Sequence, residues 1–545
     1  LGALLVLAEM AWVRAQSPPA KVPIGAADGG PSPISQRAGN SSVADAKARA
    51  PIEIRTGHPS GIYALAFSPD GKEIATTCGR GDPRVRFWDA RTGQFIRSLE
   101  AHTAGVWAVA YTADGTRIVT TSFLHREDVC VWDARTHRKL MSLKAHKYGA
   151  HVLGVSPDGG RLVSIGSYMT VDDVVVWDLE SGKLVRKHPS LARSARQIVL
   201  LADGRAALVA ERERVIAWDI GAHTGEGLRD LGNVEVLARN DQRPGSTPFP
   251  MTILGPSGET AVVNDYGRAT RVVETITGQT VWEIKSGIHD GRIALSPDGR
   301  TIARPSWGAT IEVLDIPTEK PVATLGPILL PVSKLLFAPD GKRLAAVGSG
   351  SKTASVYLWD LSEIAGRPLQ KPKVGPNDVD RWCRDLAGED PRAAYRAVWA
   401  LAGAPDQALP QFKAIVTERQ RTTAADIDRW ITDLDDNRFA AREAAAGQLR
   451  GAGTAALTRM AAALKGNVSP EQRGRLQAIV AASRDARVPC DRLFAARARV
   501  VLEQIGTREA LKFLDEWASA DPGARREAEA RALVARLTKQ QKPDE

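Results

Sequence analysis

Four cysteines in 545 residues, none in a CxxC pair, exclude both a disulfide scaffold and a cysteine zinc site. They stand far apart, at Cys78, Cys130, Cys383 and Cys490. No apolar run approaches the roughly 20 residues of a membrane-spanning helix. No run of five or six like charges occurs either. The formal net charge of +10 invites a nucleic-acid reading, but Lys and Arg are interleaved with Asp and Glu along the chain. Nucleic-acid binding through a basic surface is therefore the weakest reading. Catalytic signatures are missing as well: there is no GxSxG elbow, no HExxH and no Walker loop. The expectation is a chain with no catalytic residues, no cofactor and no metal site.

The opening, LGALLVLAEMAWVRAQSPPA, carries an apolar stretch and then Val13 and Ala15, placed like the −3 and −1 residues of a cleavage site. Residues 1–15 are expected to be the remnant of a signal peptide, with export to the periplasm or cell envelope. Residues 16–50 are rich in Pro, Gly, Ser and Ala and read as a flexible linker.

What the chain does have is repetition. FSPDGK, beginning at Phe67, returns as YTADGT, VSPDGG, LLADGR, LGPSGE, LSPDGR and FAPDGK. A Trp-Asp pair follows the first four at Trp88, Trp132, Trp177 and Trp218, decays to Val273-Glu274 and Leu314-Asp315, and returns at Trp359. Seven units of about 40–45 residues have the period of a four-stranded propeller blade. Within a unit, IYALAF and VWAVAY run apolar as buried strands do. PDG supplies a tight turn, and VRFWDARTGQFIRSL reads strand, turn, strand. One blade cannot cover both faces of its own sheet, so stacking in a ring is required.

These phrases resemble the WD-repeat (WD40) family from about residue 51 to 368. The resemblance implies a seven-bladed β-propeller in which Asp, His, Ser/Thr and Trp tie each blade. In the first blade the matching residues are His58, Thr77, Asp82 and Trp88. His102 and Trp132 match in the second and His146 and Trp177 in the third, where Asp128 and Asp173 are the nearest acids. Trp218 and Trp359 match in the fourth and last. The histidines are thus structural. PIEIRTGH mimics the fourth strand FIRSLEAH but precedes the first blade, so residues 51–57 are expected to complete blade seven.

After Leu369 the composition shifts to Ala, Arg and Leu, and residues 369–545 read as an all-α domain. Asp390-Pro391 is an N-cap followed by proline at the first helical position. Residues 438–464 and 493–518 both read helix, Gly turn, helix, with Phe439 matching Phe494 and Gly453 matching Gly506. They resemble HEAT-type helical pairs, which stack into a grooved solenoid. The whole layout is similar to a family of bacterial WD-repeat proteins, a resemblance that implies no known chemistry.

Three short motifs carry less. VETITGQTVWEI is faintly similar to the repeat of quinone-dependent propeller dehydrogenases but occurs once. GRGDP contains an adhesive-looking tripeptide whose Asp82 already has a structural place. DLDD lacks the spacing of a calcium loop. Four residues before each turn phrase lie equivalent positions on the first strands: Tyr63, Trp107, His151, Arg196, Pro250, Gly291 and Ser333. Tyr, Trp and Arg are the residues most enriched at binding hot spots. The expected function is a non-catalytic scaffold binding protein partners through Tyr63, Trp107, His151 and Arg196, and through the helical groove. A propeller-channel enzyme, or a small-molecule or polysaccharide binder, is the alternative.

Overall fold

The computed structural model describes residues 50–520 apart from 80, 123–128, 147–148, 157, 167–173, 189–196, 201–205, 211–214, 220–250, 255–259, 266–268, 275–276, 285–292, 307–308, 329–330, 350–353, 366–372, 376, 422 and 486–489. The expected leader 1–15 lies outside the described residues, as do the linker 16–50 save Ala50 and the stretch 521–545. Asp128 and Asp173 also lie outside them.

Among the described residues the strands form seven antiparallel sheets, six of four strands and one, the fourth, of three. The first sheet is the up-and-down set Ile62–Phe67, Glu73–Cys78, Arg84–Asp89 and Phe95–Glu100. Its order follows from its turns. After the first strand, the Asp70 carboxylate accepts from the Ser68 hydroxyl (2.6 Å) and the Lys72 amide (3.0 Å), and Gly71 takes φ +70°. After the third strand, Asp89 accepts from the Arg91 and Thr92 amides at 2.9 and 2.6 Å. Both turns are Asx-type folds in which a short acidic side chain replaces backbone partners. Because the strands alternate in direction, these two turns lie at one end of the sheet. The loops carrying His58 and Asp82 lie at the other.

Neighbouring sheets share cores. Phe87 and Val85 of the first sheet cluster with Val106, Ile118 and Trp132 of the second. The series returns on itself: Ala345 and Val347 of the seventh sheet cluster with Ile62, Ile74 and Trp88 of the first. Arg343 Nη1 also donates to Gly71 O at 2.9 Å. The strand Ile52–Arg55 belongs to the seventh sheet, not the first. It pairs antiparallel with Ala354–Asp360, setting Ile52 opposite Leu358 and Arg55 opposite Ser355, and Thr56 Oγ1 donates to Ala354 O at 2.7 Å.

Helices follow: α1 (Ser362–Ala365), α2 (Asp378–Ala387), α3 (Pro391–Ala402), α4 (Pro405–Arg421), α5 (Ala424–Asp433), α6 (Phe439–Gly451), α7 (Gly453–Ala463), α8 (Pro470–Asp485), α9 (Cys490–Ile505) and α10 (Arg508–Ala520). Asp390 caps α3 by accepting from Arg392 N (2.9 Å) and Ala393 N (3.2 Å). None of the described helices is long and apolar enough to cross a membrane. The helices bury two separate cores. One joins α2, α3, α4, α9 and α10 around Leu386, Phe412, Phe494 and Leu502; the other joins α5 to α8 around Ile431, Leu449 and Met460. The last pair therefore folds back on α2, α3 and α4, an order that simple end-to-end stacking of pairs does not produce. Phe439 and Phe494, matched in sequence, part company here: the first is 65% exposed and the second 1%.

The helices are fastened to the strands at the fifth and sixth sheets. Arg497 on α9 is 3% exposed and grips Glu274 with two bonds, Nε to Oε1 at 2.7 Å and Nη2 to Oε2 at 2.9 Å. Its Nη1 donates to the carbonyls of Leu386 (2.9 Å) and Gly388 (2.7 Å). Tyr395 on α3 packs against the cluster of Val281, Trp282 and Leu314, and its hydroxyl donates to Gly299 O at 2.7 Å. The Arg300 guanidinium lies 5.6 Å from the Trp399 ring centroid.

Candidate functional site

In the first sheet a chain of buried polar groups runs inward from Trp88. Its indole Nε1 donates to Thr76 Oγ1 at 2.9 Å, that hydroxyl meets His58 Nε2 at 3.0 Å, and His58 Nδ1 meets the Asp82 carboxylate at 2.9 Å. Burial, partly opposed by the hydrogen bond to Asp82, keeps the His58 imidazole below its ordinary pKa. A neutral ring donates from Nδ1 and accepts at Nε2, so each group has one role. Arg84 and Arg86 also reach Asp82, each at 3.0 Å. With Asp82 only 1% exposed, the GRGDP tripeptide does not present its carboxylate.

The hydroxyl in this chain belongs to Thr76, not Thr77 as the sequence suggested. Adjacent strand residues face opposite ways, and Thr77 Oγ1 instead accepts from Ala64 N at 3.2 Å. The second sheet repeats the set with Trp132, Thr120 and His102, bonded at 2.9 and 2.8 Å, and Cys130 Sγ lies 4.0 Å from His102 Nδ1. The third repeats it with Trp177, Ser164 and His146, both bonds at 2.8 Å. Trp218 lies on the strand Val215–Asp219, and its side chain is outside the described residues.

Trp359 departs from the expected network. It is 2% exposed, yet its indole nitrogen has no partner among the described residues. Trp359 pairs with Leu344 as Trp88 pairs with Ile74, so Ala346 stands where Thr76 does. Ala346→Ser is expected to supply the missing acceptor and raise stability by about 1 kcal/mol. Urea unfolding reads this directly, and a loss would mean the seventh sheet lacks room for the hydroxyl.

The seven equivalent first-strand positions have a common geometry where they are described. Tyr63, Trp107, His151 and Ser333 each occupy a β-bulge, between the paired residues Ile62/Ala64, Val106/Ala108, Ala150/Val152 and Val332/Lys334. A bulge leaves its extra residue out of the ladder and re-aims its side chain. Tyr63 and Trp107 meet edge to face, with centroids 4.7 Å apart and planes at 65°. Tyr63 rests on bare backbone: a Cβ at Gly79 would come within 2.7 Å of its ring. The side chain of His151 and all of Arg196, Pro250 and Gly291 lie outside the described residues. Ser333 is not a binding knob in this arrangement, since its hydroxyl donates to Val347 O at 3.2 Å.

Sequence reasoning missed Lys334 beside this pair. It stands where the first two sheets have Ala64 and Ala108, and its ammonium donates to the Tyr63 carbonyl. A single Lys in the otherwise apolar strand VSKLLF was the available signal. Two aromatic rings beside a cation suit an apolar or aromatic side chain flanked by a carboxylate.

A cleft of about 290 Å³ in the helical domain is lined by Asp380, Cys383, Arg384, Gln411 and Phe494 among others. Burial pushes the Cys383 thiol up to about 12, so it stays protonated at neutral pH. Gln411 Nε2 donates to Asp380 Oδ1 at 2.8 Å beside it. No three His, Cys, Asp or Glu residues among those described stand close enough to hold a metal ion.

No curated protein matches the chain. The sheets and their polar chains agree with a family match at the N-terminal end. Each matched segment begins with the outer strand of one sheet and continues through three strands of the next. The chain carries WD40 repeats: the model described as WD domain, G-beta repeat, matches residues 50–89 and 93–133.

Proposed function

We propose that the protein is a non-catalytic interaction scaffold built on a seven-bladed propeller, closed by the strand Ile52–Arg55, with the helical domain held rigidly at blades five and six. WD40 repeats generally mediate protein–protein interaction. The observation that carries the reading is the seating of Tyr63 and Trp107 on adjacent bulges beside Lys334. These residues lie at the end of the blades opposite the turns of Gly299 and Glu274, where the helices attach. We place the protein in the periplasm or cell envelope, on the character of residues 1–15. The helical domain, HEAT-like in its sequence pairs, serves as the second surface.

The test is affinity capture from native envelope extracts, compared between the natural chain and Tyr63→Ala/Trp107→Ala. A partner held by the first and reduced at least tenfold by the second is expected. Capture that is identical with both chains would overturn the site, provided thermal unfolding shows both folded.

A further inference from the structure

We infer that the outer rim of the first three sheets is a docking surface for an acidic amphipathic α-helix of a partner protein. It is separate from the Tyr63–Trp107 site and lies on the last strand of each sheet.

Each of those strands opens with a β-bulge, and the bulged residue is apolar. It is Ile96 in the first sheet, Leu140 in the second, Val185 in the third, Val281 in the fifth and Val322 in the sixth. The first three are 41, 45 and 48% exposed, whereas Val281 is 6% exposed. The difference has a visible cause. In the fifth sheet α3 lies against the strand Thr280–Ile284, and Tyr395 joins the cluster that contains Val281 and Trp282. The molecule thus shows what this bulge position does when occupied: it receives an amphipathic helix.

The uncovered bulges stand on three successive sheets. The turn of each sheet rests on the outer strand of the sheet before it. Gly93 lies against Ile52, His137 accepts from Arg97 Nε at 2.8 Å, and Gly182 lies against Met141. Phe95 and Leu184, both exposed, add apolar surface next to Ile96 and Val185 in the chain. Exposed apolar residues repeated along one rim and flanked by charge mark an interaction site.

Charge selects the occupant. The turn and outer-strand segments of the fifth and sixth sheets, 274–284 and 315–325, hold four acidic residues and one Lys. The helices on the fifth sheet carry Arg392, Arg396 and Arg497, and Arg497 pairs with Glu274. The corresponding segments of the first three sheets, 89–100, 133–144 and 178–187, hold nine Lys or Arg against five Asp or Glu. The position is the same and the sign is reversed, so the matching helix is acidic. The same basic rim disfavours edge-to-edge pairing with a second copy, the usual role of lysines and bulges on sheet edges.

A diazirine-bearing aliphatic amino acid placed at position 140 or 185, irradiated in the native host, tests this. The adduct is mapped by mass spectrometry. The expected adduct lies on a segment of another protein with apolar residues at i, i+3, i+4 and i+7 and net negative charge. The exposed charge reversals Arg138→Glu and Lys183→Glu should together lower its yield at least fivefold, with thermal unfolding unchanged. An adduct on another copy of this chain, on lipid, or on a basic or non-helical segment would overturn the inference. So would no intermolecular adduct, or a yield indifferent to the charge reversals.

Discussion

Replacing Arg497 by Met is expected to cost about 3–5 kcal/mol and to split a single unfolding transition into two. The guanidinium is the one group that ties α9, the end of α2 and the turn of the fifth sheet together, through Glu274, Leu386 O and Gly388 O. Without it, the side-chain partner left to the Glu274 carboxylate among the described residues is the Thr277 hydroxyl, at 2.7 Å. An uncompensated charge there is worse than no charge. The double variant Arg497→Met/Glu274→Met should therefore recover part of the loss, because both charges leave together. Calorimetry on the three chains decides the matter. If Arg497→Met unfolds in one transition at the natural midpoint, the helices are not held by this residue. Hydrogen exchange should show α3 and α9 opening first in the single variant, with the first sheet protected as before.

Asp82→Ala should cost a similar amount, about 3–5 kcal/mol, but in the first sheet. Asp82 is the acceptor for His58, Arg84 and Arg86 at once. Its removal leaves the buried imidazole N–H without its acceptor and takes one partner from Arg86, which keeps the Thr56 carbonyl, while the more exposed Arg84 turns to water. The pH dependence has a definite sign. His58 is held below its ordinary value of 6.5, first by burial. The unfolded chain therefore takes up a proton that the folded one refuses. Stability is full above 6.5 and declines as pH falls toward the folded value. Burial opposes the charge on Asp82 too, but hydrogen bonds from His58 and Arg84 outweigh it, and its carboxyl stays below the usual range. Its contribution is lost later, as pH falls through that depressed value. Urea midpoints from pH 8 to 4 should fall in the natural chain, and His58→Gln should flatten the upper part of that fall. A profile unchanged in His58→Gln would remove this imidazole from the account.

The blade period was readable because turn chemistry repeats at fixed spacing, and the strand Ile52–Arg55 because it copies the motif FIRSL. The loss of Trp at Val273 and Leu314 read as decay. The structure gives it a different cause: these sheets pack against α3 and α9, and Glu274 turns outward to Arg497. No local pattern announces a partner 223 residues away. Thr77 was named in place of Thr76 for a related reason. Two adjacent threonines in a strand satisfy the same spacing, and only the register against Arg86 and Val85 separates their faces. The positions of Tyr63 and Trp107 were found by counting back from the turns, but the bulge that gives them their direction leaves no mark in the sequence. The packing order of the helices was equally hidden, since amphipathic pairs state which face is apolar and not which neighbour covers it.

The strand Ile52–Arg55 leaves the ribosome some 300 residues ahead of its partner, Ala354–Asp360. At roughly 5–20 residues per second, on the order of 15–60 s separate the two events. For that interval the nascent chain carries an open sheet edge at each end, and every sheet between them can form from local pairings alone. Joining the two ends of the strand series is thus a long-range stitch, and the helix that grips Glu274 through Arg497 emerges only after it. A chain lacking that strand would keep its local sheet pairings and leave Ala354–Asp360 as a bare, aggregation-prone edge.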